Sequence, residues 1–367
     1  VWKDMANYLV TATDILGDWS EPICLNSSGF DPSLFHDDDG RCYLVNMLID
    51  HRQNRLFGGI ILQEYDRERQ QLVGAVHPIF AGTEHRCTEG PHICKREDWY
   101  YLVVAEGGTG YEHCMSVARS RTITGPYEVH PDNPLLTSRY DPEQYLQKTG
   151  HGNFVETRNG EWYTTFLSGR PLSRLGHCTL GRESGIERIK WCEDDWPRLT
   201  HSGQSARRFV EAPDLPTHLV PSPPARVDFD TPNIDLQFQS LRIPMTSDWV
   251  SQTARPGYLR IHGRDSLSSC FNQSMIARRV QAHRSEASTC IEFEPGTFQQ
   301  MAGLVCYYNT LHYHYLHVSG DEFGRCAEGT TVRKFINVVS CVSGEYHQAH
   351  NRGIEITGQK RIYLKAC

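Results

Sequence analysis

The sequence predicts an all-β chain whose first two hundred residues form a β-propeller, and three observations carry that expectation. A hairpin pattern recurs three times, a second pair of strands follows each hairpin, and helical periodicity of any length is absent over the region. The first repeat runs Phe30-Asp31-Pro32-Ser33-Leu34-Phe35-His36, a turn at Asp38-Asp39-Gly40, then Cys42-Tyr43-Leu44-Val45. The second runs Thr88-Glu89-Gly90-Pro91-His92-Ile93, Glu97-Asp98, then Trp99-Tyr100-Tyr101-Leu102-Val103. The third runs Gly150-His151-Gly152-Asn153-Phe154-Val155, Arg158-Asn159-Gly160, then Trp162-Tyr163-Thr164-Thr165-Phe166.

Each repeat is a polar residue, a short apolar strand, a turn of the D-G or N-G kind and an aromatic-rich strand. Such turns supply the positive φ that tight hairpins need. Gly59–Tyr65 and Met115–Glu128 read as the strands that complete two of the units, and residues 7–20 resemble that same second pair with no hairpin before it. The unit is therefore four strands in roughly 60 residues, the blade of a propeller. Innermost strands line a central channel, so the polar leaders Asp31, Glu89 and His151, spaced by 58 and 62 residues, are expected to converge there. An Asp before Pro is more often a turn residue, and a lone His more often a satisfied structural group. The shared repeat phase favours a site over those readings, because two carboxylates and an imidazole facing one channel desolvate and repel one another.

The 367 residues suffice for two cores, and a net charge of −7 with scattered Lys and Arg excludes a nucleic-acid footprint. No apolar run is long enough to predict a membrane span. Thirteen cysteines lack any C-x-x-C pair and are expected to be mostly reduced, buried fillers, which tilts the compartment toward the cytoplasm while leaving it open. The chain opens on Val1 without a signal-peptide pattern, and its true start is expected to be missing. A Pro-rich linker, 211–225, separates a first domain (1–210) from a second (226–367), which reads as short alternating strands such as Ile291–Glu294 and Ala302–Tyr308.

The set Trp2-Lys3-Asp4, Gly29–Asp37, Thr88–His92, Ala105-Glu106-Gly107-Gly108-Thr109, Gly150-His151-Gly152, Ser168–Leu172 and Leu180-Gly181-Arg182-Glu183 resembles the β-xylosidases of glycoside hydrolase family 43, over residues 1 to about 310. The resemblance implies a five-bladed β-propeller followed by a concanavalin-like β-sandwich, here shortened. It also implies exo-acting cleavage of xylobiose and xylo-oligosaccharides with inversion. On this basis Glu89 is the general acid and Asp31 the carboxylate that raises its pKa and orients it. His151, Arg182 and Phe30 bind the sugar. His151 is also the residue around which some relatives hold a calcium ion or its water shell, so calcium is the one cofactor the resemblance admits. Arg170 reads as a structural strand-end residue.

Two departures matter. The family's base lies in an N-terminal N-P-D-P-S motif that the chain does not contain, so about one hundred residues, the first blade and part of the second, are expected to be absent and hydrolysis impaired. Leu48-Ile49 stands where relatives commonly carry an aromatic pair, which removes a stacking wall. The alternatives are a non-catalytic carbohydrate-binding pseudoenzyme and an α-L-arabinofuranosidase. No nucleic-acid or membrane partner is expected, and a homo-oligomer stays open.

Overall fold

Three antiparallel sheets form where the repeat predicts them, in a computed structural model that describes residues 5–52, 56–321 and 332–367. Trp2-Lys3-Asp4 lies outside these residues, as does Cys326–Gly329, where the resemblance fades. No α-helix occurs among the described residues. The chain divides into two units, Val1–His218 and Leu219–Cys367.

In the first unit, β1 (Asn7–Leu9) and β2 (Ile23–Asn26) make a two-stranded sheet. The first full sheet is β3 (Ser33–His36), β4 (Cys42–Ile49), β5 (Phe57–Asp66) and β6 (Gln71–Phe80), in that order. The second is β7 (Glu89–Arg96), β8 (Trp99–Glu106), β9 (Cys114–Ser120) and β10 (Glu128–Val129), with β11 (Leu136–Thr137) also on β9. In the third, β12 (Gln147–Gly150) and β13 (Phe154–Glu156) both pair with β14 (Trp162–Gly169), followed by β15 (Glu183–Trp191) and β16 (Pro197–Leu199). The turns follow the chemistry read from sequence. Gly40 and Gly160 take φ of 86° and 78°, and Glu97 takes 52° where its two-residue turn has no glycine.

What makes these sheets stack is visible in β8. Tyr101, Leu102, Val103 and Val104 are all at most 1% exposed, because alternate side chains enter different cores. Leu102 and Val104 join Tyr43, Val45, Met47, Ile60 and Leu62 of the first sheet. Tyr101 and Val103 join Phe154, Phe166 and Ile189 of the third, with Trp196 from the turn before β16. The middle sheet is thus packed on both faces, and each such aliphatic or aromatic side chain contributes roughly 1.5–3 kcal/mol on burial. Arg119 lies over the rings of Trp99 and Trp196 (4.3 and 3.9 Å) and covers one border of that core.

The second unit has a sheet of Ala302–Asn309, His312–Gly320, Lys334–Val342 and Glu345–Gln348, and a smaller pair, Ala287–Ile291 with Ile362–Ala366. Val318 from the larger sheet and Ile362 and Leu364 from the smaller share one core, the face-to-face packing of a sandwich.

The cysteines depart from expectation. All twelve described are free, but only Cys42, Cys114 and Cys341 are buried, while Cys24, Cys270, Cys290, Cys306 and Cys367 are exposed. Strand alternation explains it at Cys290 and Cys306, which fall on outward positions of their strands.

Candidate active site

The site grows from an unusual backbone feature shared by the three sheets. Asp31, Gly90 and His151 each take a left-handed φ (53°, 57° and 48°) at the entry to the inner hairpin strand. For the Asp and the His this costs on the order of 1 kcal/mol or more, and it persists only where the surroundings over-determine it. The structure also corrects the repeat phase. Gly90, not Glu89, is the equivalent of Asp31 and His151, which makes the intervals 59 and 61 residues. Asp31-Pro32 and Gly90-Pro91 align on their prolines, which leaves Glu89 one residue ahead of the left-handed position, and the pairing of β7 with β8 shifts register between Glu89 and His92.

The side chains nonetheless meet. The Gly90 N–H donates to Asp31 Oδ2 (3.1 Å), and Ser33 Oγ donates to the Pro91 carbonyl (2.6 Å), stitching the first two sheets together. The His151 ring lies where a Cβ on Gly90 would stand, 2.7–2.9 Å from three of its atoms. Position 90 must therefore be glycine both for its φ and for its space. Glu89 is only 9% exposed. Burial pushes its carboxyl up to about 7, the Asp31 carboxylate adds to the rise and Arg182 opposes it. His151 is held below the usual histidine range by burial, with Arg182 reinforcing and Asp31 opposing. His92 is lowered in the same way, by burial and then His151, against Asp31. Asp31, Glu89, His151 and Arg182 therefore form one electrostatic cluster. Phe30 is half-buried, its ring edge-on to Phe57 with centroids 6.3 Å apart, at the border of the first core. Arg170 makes a bidentate pair with Glu183 (2.8 and 2.7 Å) and donates to Tyr145 Oη (2.8 Å), the geometry of a structural tie.

Two buried polar residues next to the cluster, Glu106 and His113, were given no role by the sequence. Glu106 is fully buried and accepts from Thr83 N (2.8 Å), Thr83 Oγ1 (2.6 Å) and Thr88 Oγ1 (2.8 Å). It thereby pins the segment that delivers Glu89. Its signal was an acid closing the apolar run of β8. His113, 2% exposed, bonds the Lys148 carbonyl through Nδ1 (3.0 Å). Its partner lies 35 residues away, beyond what local pattern reveals.

Calcium takes about six to eight oxygen ligands. Around His151 the charged groups are the Asp31 carboxylate, already accepting from Gly90, and the cationic Arg182. That set does not fit a directly bound divalent ion, and among the described residues no three His, Cys, Asp or Glu are grouped to hold one.

A protonatable carboxyl poised near neutrality, beside a second carboxylate, an imidazole and a guanidinium, can donate a proton to a leaving oxygen. Comparison with known proteins places the chain in a family. Residues 2–197 match glycosyl hydrolases family 43, and residues 226–367 match the β-xylosidase C-terminal concanavalin A-like domain. The β-xylosidase of Bacillus subtilis (strain 168) is 49% identical across 99% of this chain and 68% of its own length. The xylan 1,3-β-xylosidase of a Vibrio species is 43% identical across 99% and 69%. The crystal structure of the xylan β-1,4-xylosidase from Bacillus halodurans C-125 superposes with a TM-score of 0.93 at 50% identity, covering 98% of this chain and 67% of that one. The chain thus spans about two thirds of the length of these relatives, and it belongs to glycoside hydrolase family 43, among the β-xylosidases.

Proposed function

We propose that the cluster cleaves xylose from the non-reducing end of xylobiose and longer xylo-oligosaccharides with inversion, Glu89 acting as the general acid. The observation that carries this reading is the Glu89 carboxyl itself, buried beside Asp31 and raised to about 7. An acid with that pKa is protonated in a useful fraction of molecules near neutrality, and after giving its proton to the departing oxygen it remains as a carboxylate that can be reprotonated. Asp31 raises and orients it. Arg182 and His151 supply donors and a ring face for the sugar hydroxyls. Phe30 lines the approach.

Inversion also needs a base carboxylate roughly 6.5–9.5 Å from the acid, with room for a water between. The resemblance assigns that base to an N-P-D-P-S segment, which residues 1–367 do not contain. Residues 1–367 on their own are therefore expected to turn over slowly while retaining a sugar-binding cluster. Release of nitrophenol from nitrophenyl β-xyloside, with the anomer of the product followed by proton NMR, tests both parts. A rate matching a full-length relative would sink the expectation of slow turnover, and a β-anomer as first product would sink inversion.

A further inference from the structure

The segment that presents His151 is held from behind by a residue to which nothing above assigns a role. Lys148, within β12, and His151, just after it, are both left-handed (φ 56° and 48°), and β12 shifts register against β14 between Gln147 and Gly150. Two such residues within four positions require local enforcement. His113, immediately ahead of β9 of the second sheet, is placed to supply it. Its Nδ1 lies 3.0 Å from the Lys148 carbonyl oxygen. A carbonyl can only accept, so Nδ1 carries the hydrogen and Nε2 is a bare lone pair. Burial keeps the ring neutral, its pKa pressed down to about 4. Nε2 itself is buried and finds no partner among the described atoms. A phenyl ring would spare that cost, so the ring's polarity is retained for the bond it makes at Nδ1.

The same ring also fixes the backbone by shape. A Cβ on Gly150 would stand 2.6 Å from His113 Cδ2 and 2.7 Å from Nε2. The arrangement repeats one step inward, where the His151 ring occupies the space over Gly90, whose N–H is held by Asp31. His113 on Gly150 and His151 on Gly90 form a relay of two imidazoles, each seated where a glycine leaves room, that ends beside Glu89. Thr137 Oγ1 donating to the His113 carbonyl (2.9 Å) and the Ser138–Thr149 hydroxyl pair (2.8 Å) fasten its outer end.

We propose that His113 is a positioning residue for the candidate acid: by bonding Lys148 and filling the space over Gly150 it seats His151 against Gly90 and so keeps water away from Glu89. The inference rests on the reading of Glu89 as the acid, but its test does not require turnover.

Carbon-13 NMR of the chain labelled at glutamate carboxyls, with the Glu89 resonance assigned by Glu89→Gln, gives the Glu89 midpoint directly. In His113→Phe, which keeps a ring and loses the donor, the midpoint is expected to fall toward the ordinary glutamate range by at least one pH unit, a tenfold change in proton affinity. His113→Asn, which keeps an N–H near the Nδ1 position, should restore most of it. A merely structural role would lower the melting temperature of His113→Phe and leave the Glu89 midpoint where it is, and that result overturns the proposal. Should His113→Phe not fold, Gly150→Ala drives a methyl into the same ring and carries the same expectation and the same refutation. A wild-type midpoint near the ordinary value would instead sink the reading of Glu89 as the acid, which distinguishes that failure from a failure of the relay.

Discussion

Asp31 and Asp37 stand at the two ends of one short strand, Ser33–His36, yet they belong to carboxyl clusters of opposite character. At the outer end Asp37 is buried but fully answered. It accepts from Lys95 Nζ (2.8 Å), Tyr100 Oη (2.7 Å) and the Asp38 N–H (2.8 Å). Burial opposes ionisation there, and those bonds outweigh it, leaving Asp37 below the usual carboxylate range. Glu187, with no exposed surface, is answered likewise by the Arg207 guanidinium (2.7 Å) and two backbone N–H groups (2.9 Å each). At the inner end burial and a like charge both push Glu89 up, with only Arg182 opposing. The chain neutralises these buried carboxylates where they hold structure and leaves Glu89 raised at the site proposed for proton donation. A surface concavity also opens at the outer end, lined by Asp38, Lys95, Glu97, Asp98, Tyr100 and Arg121. Its charged groups are largely paired, so it offers shape without reactivity.

The sharpest way to break this contrast is Glu89→Gln. Whatever xylobiose hydrolysis the wild-type chain supports should drop about 100-fold or more, the usual worth of general acid catalysis. Wild-type activity should itself decline as pH rises through about 7, where Glu89 loses its proton. Stability moves the same way. A folded-state pKa raised above the unfolded value favours the fold most below about 4.5, and that contribution is lost as pH rises through about 7. Glu89→Gln should therefore melt higher than wild type at pH 8, by an amount on the order of 2 kcal/mol after allowance for partial solvent screening, with the gap closing toward pH 4. Calorimetric melts across that range check it, and a variant less stable than wild type at pH 8 would remove the claim of an uncompensated charge.

The next largest effect converts the outer cluster into an imitation of the inner one. Lys95→Met leaves Asp37 buried with only Tyr100 and a backbone N–H. Stripping one partner from a buried pair typically costs about 3–5 kcal/mol, less here because Lys95 is a quarter exposed, so about 2 kcal/mol at pH 7 is expected by urea melts. The sign of the pH dependence should reverse. In wild type the depressed Asp37 contributes stability above its unfolded pKa and loses it in acid. In Lys95→Met the loss should instead shrink as pH falls and the lone carboxylate takes a proton.

Much of this was legible because it is local. The turns at Asp38-Asp39-Gly40 and Arg158-Asn159-Gly160 announce themselves by residues that tolerate positive φ, and the paired strands follow at period two. The convergence of Asp31, Glu89 and His151 was legible from repeat spacing, although the register shift in β7 was not, because a bulge is a property of two strands and the spacing of one strand cannot show it. Gly90, which the sequence shows only as part of a motif, is the counterpart of Asp31. The roles of Glu106 and His113 were hidden for a related reason. Their partners, Thr83 and Thr88 on one side and Lys148 on the other, lie 18 to 35 residues away in sequence. The exposed cysteines misled because composition reports how many thiols a chain has and not which face of a strand each one takes.

The smaller effects separate a cushioned carboxylate from a decorative one. Thr88→Val removes one of three donors to Glu106 while keeping the shape of the side chain, and about 1 kcal/mol of stability should go with it. Because Thr88 is adjacent to Glu89, xylobiose affinity measured by calorimetry should weaken as well. Asp39→Asn sits at the other limit. Asp39 accepts from the Arg41 side chain at 2.8 Å and has its pKa lowered by that bond, on a turn where both groups face water. Exposed pairs of this kind gain little from their attraction, since water solvates each partner nearly as well as the other does. The melting temperature of Asp39→Asn should match wild type within error at pH 7, in low and in high salt alike. A measurable loss would mean that the outer turn depends on this pair, and the division between answered, raised and merely exposed carboxylates in these hairpins would have to be redrawn.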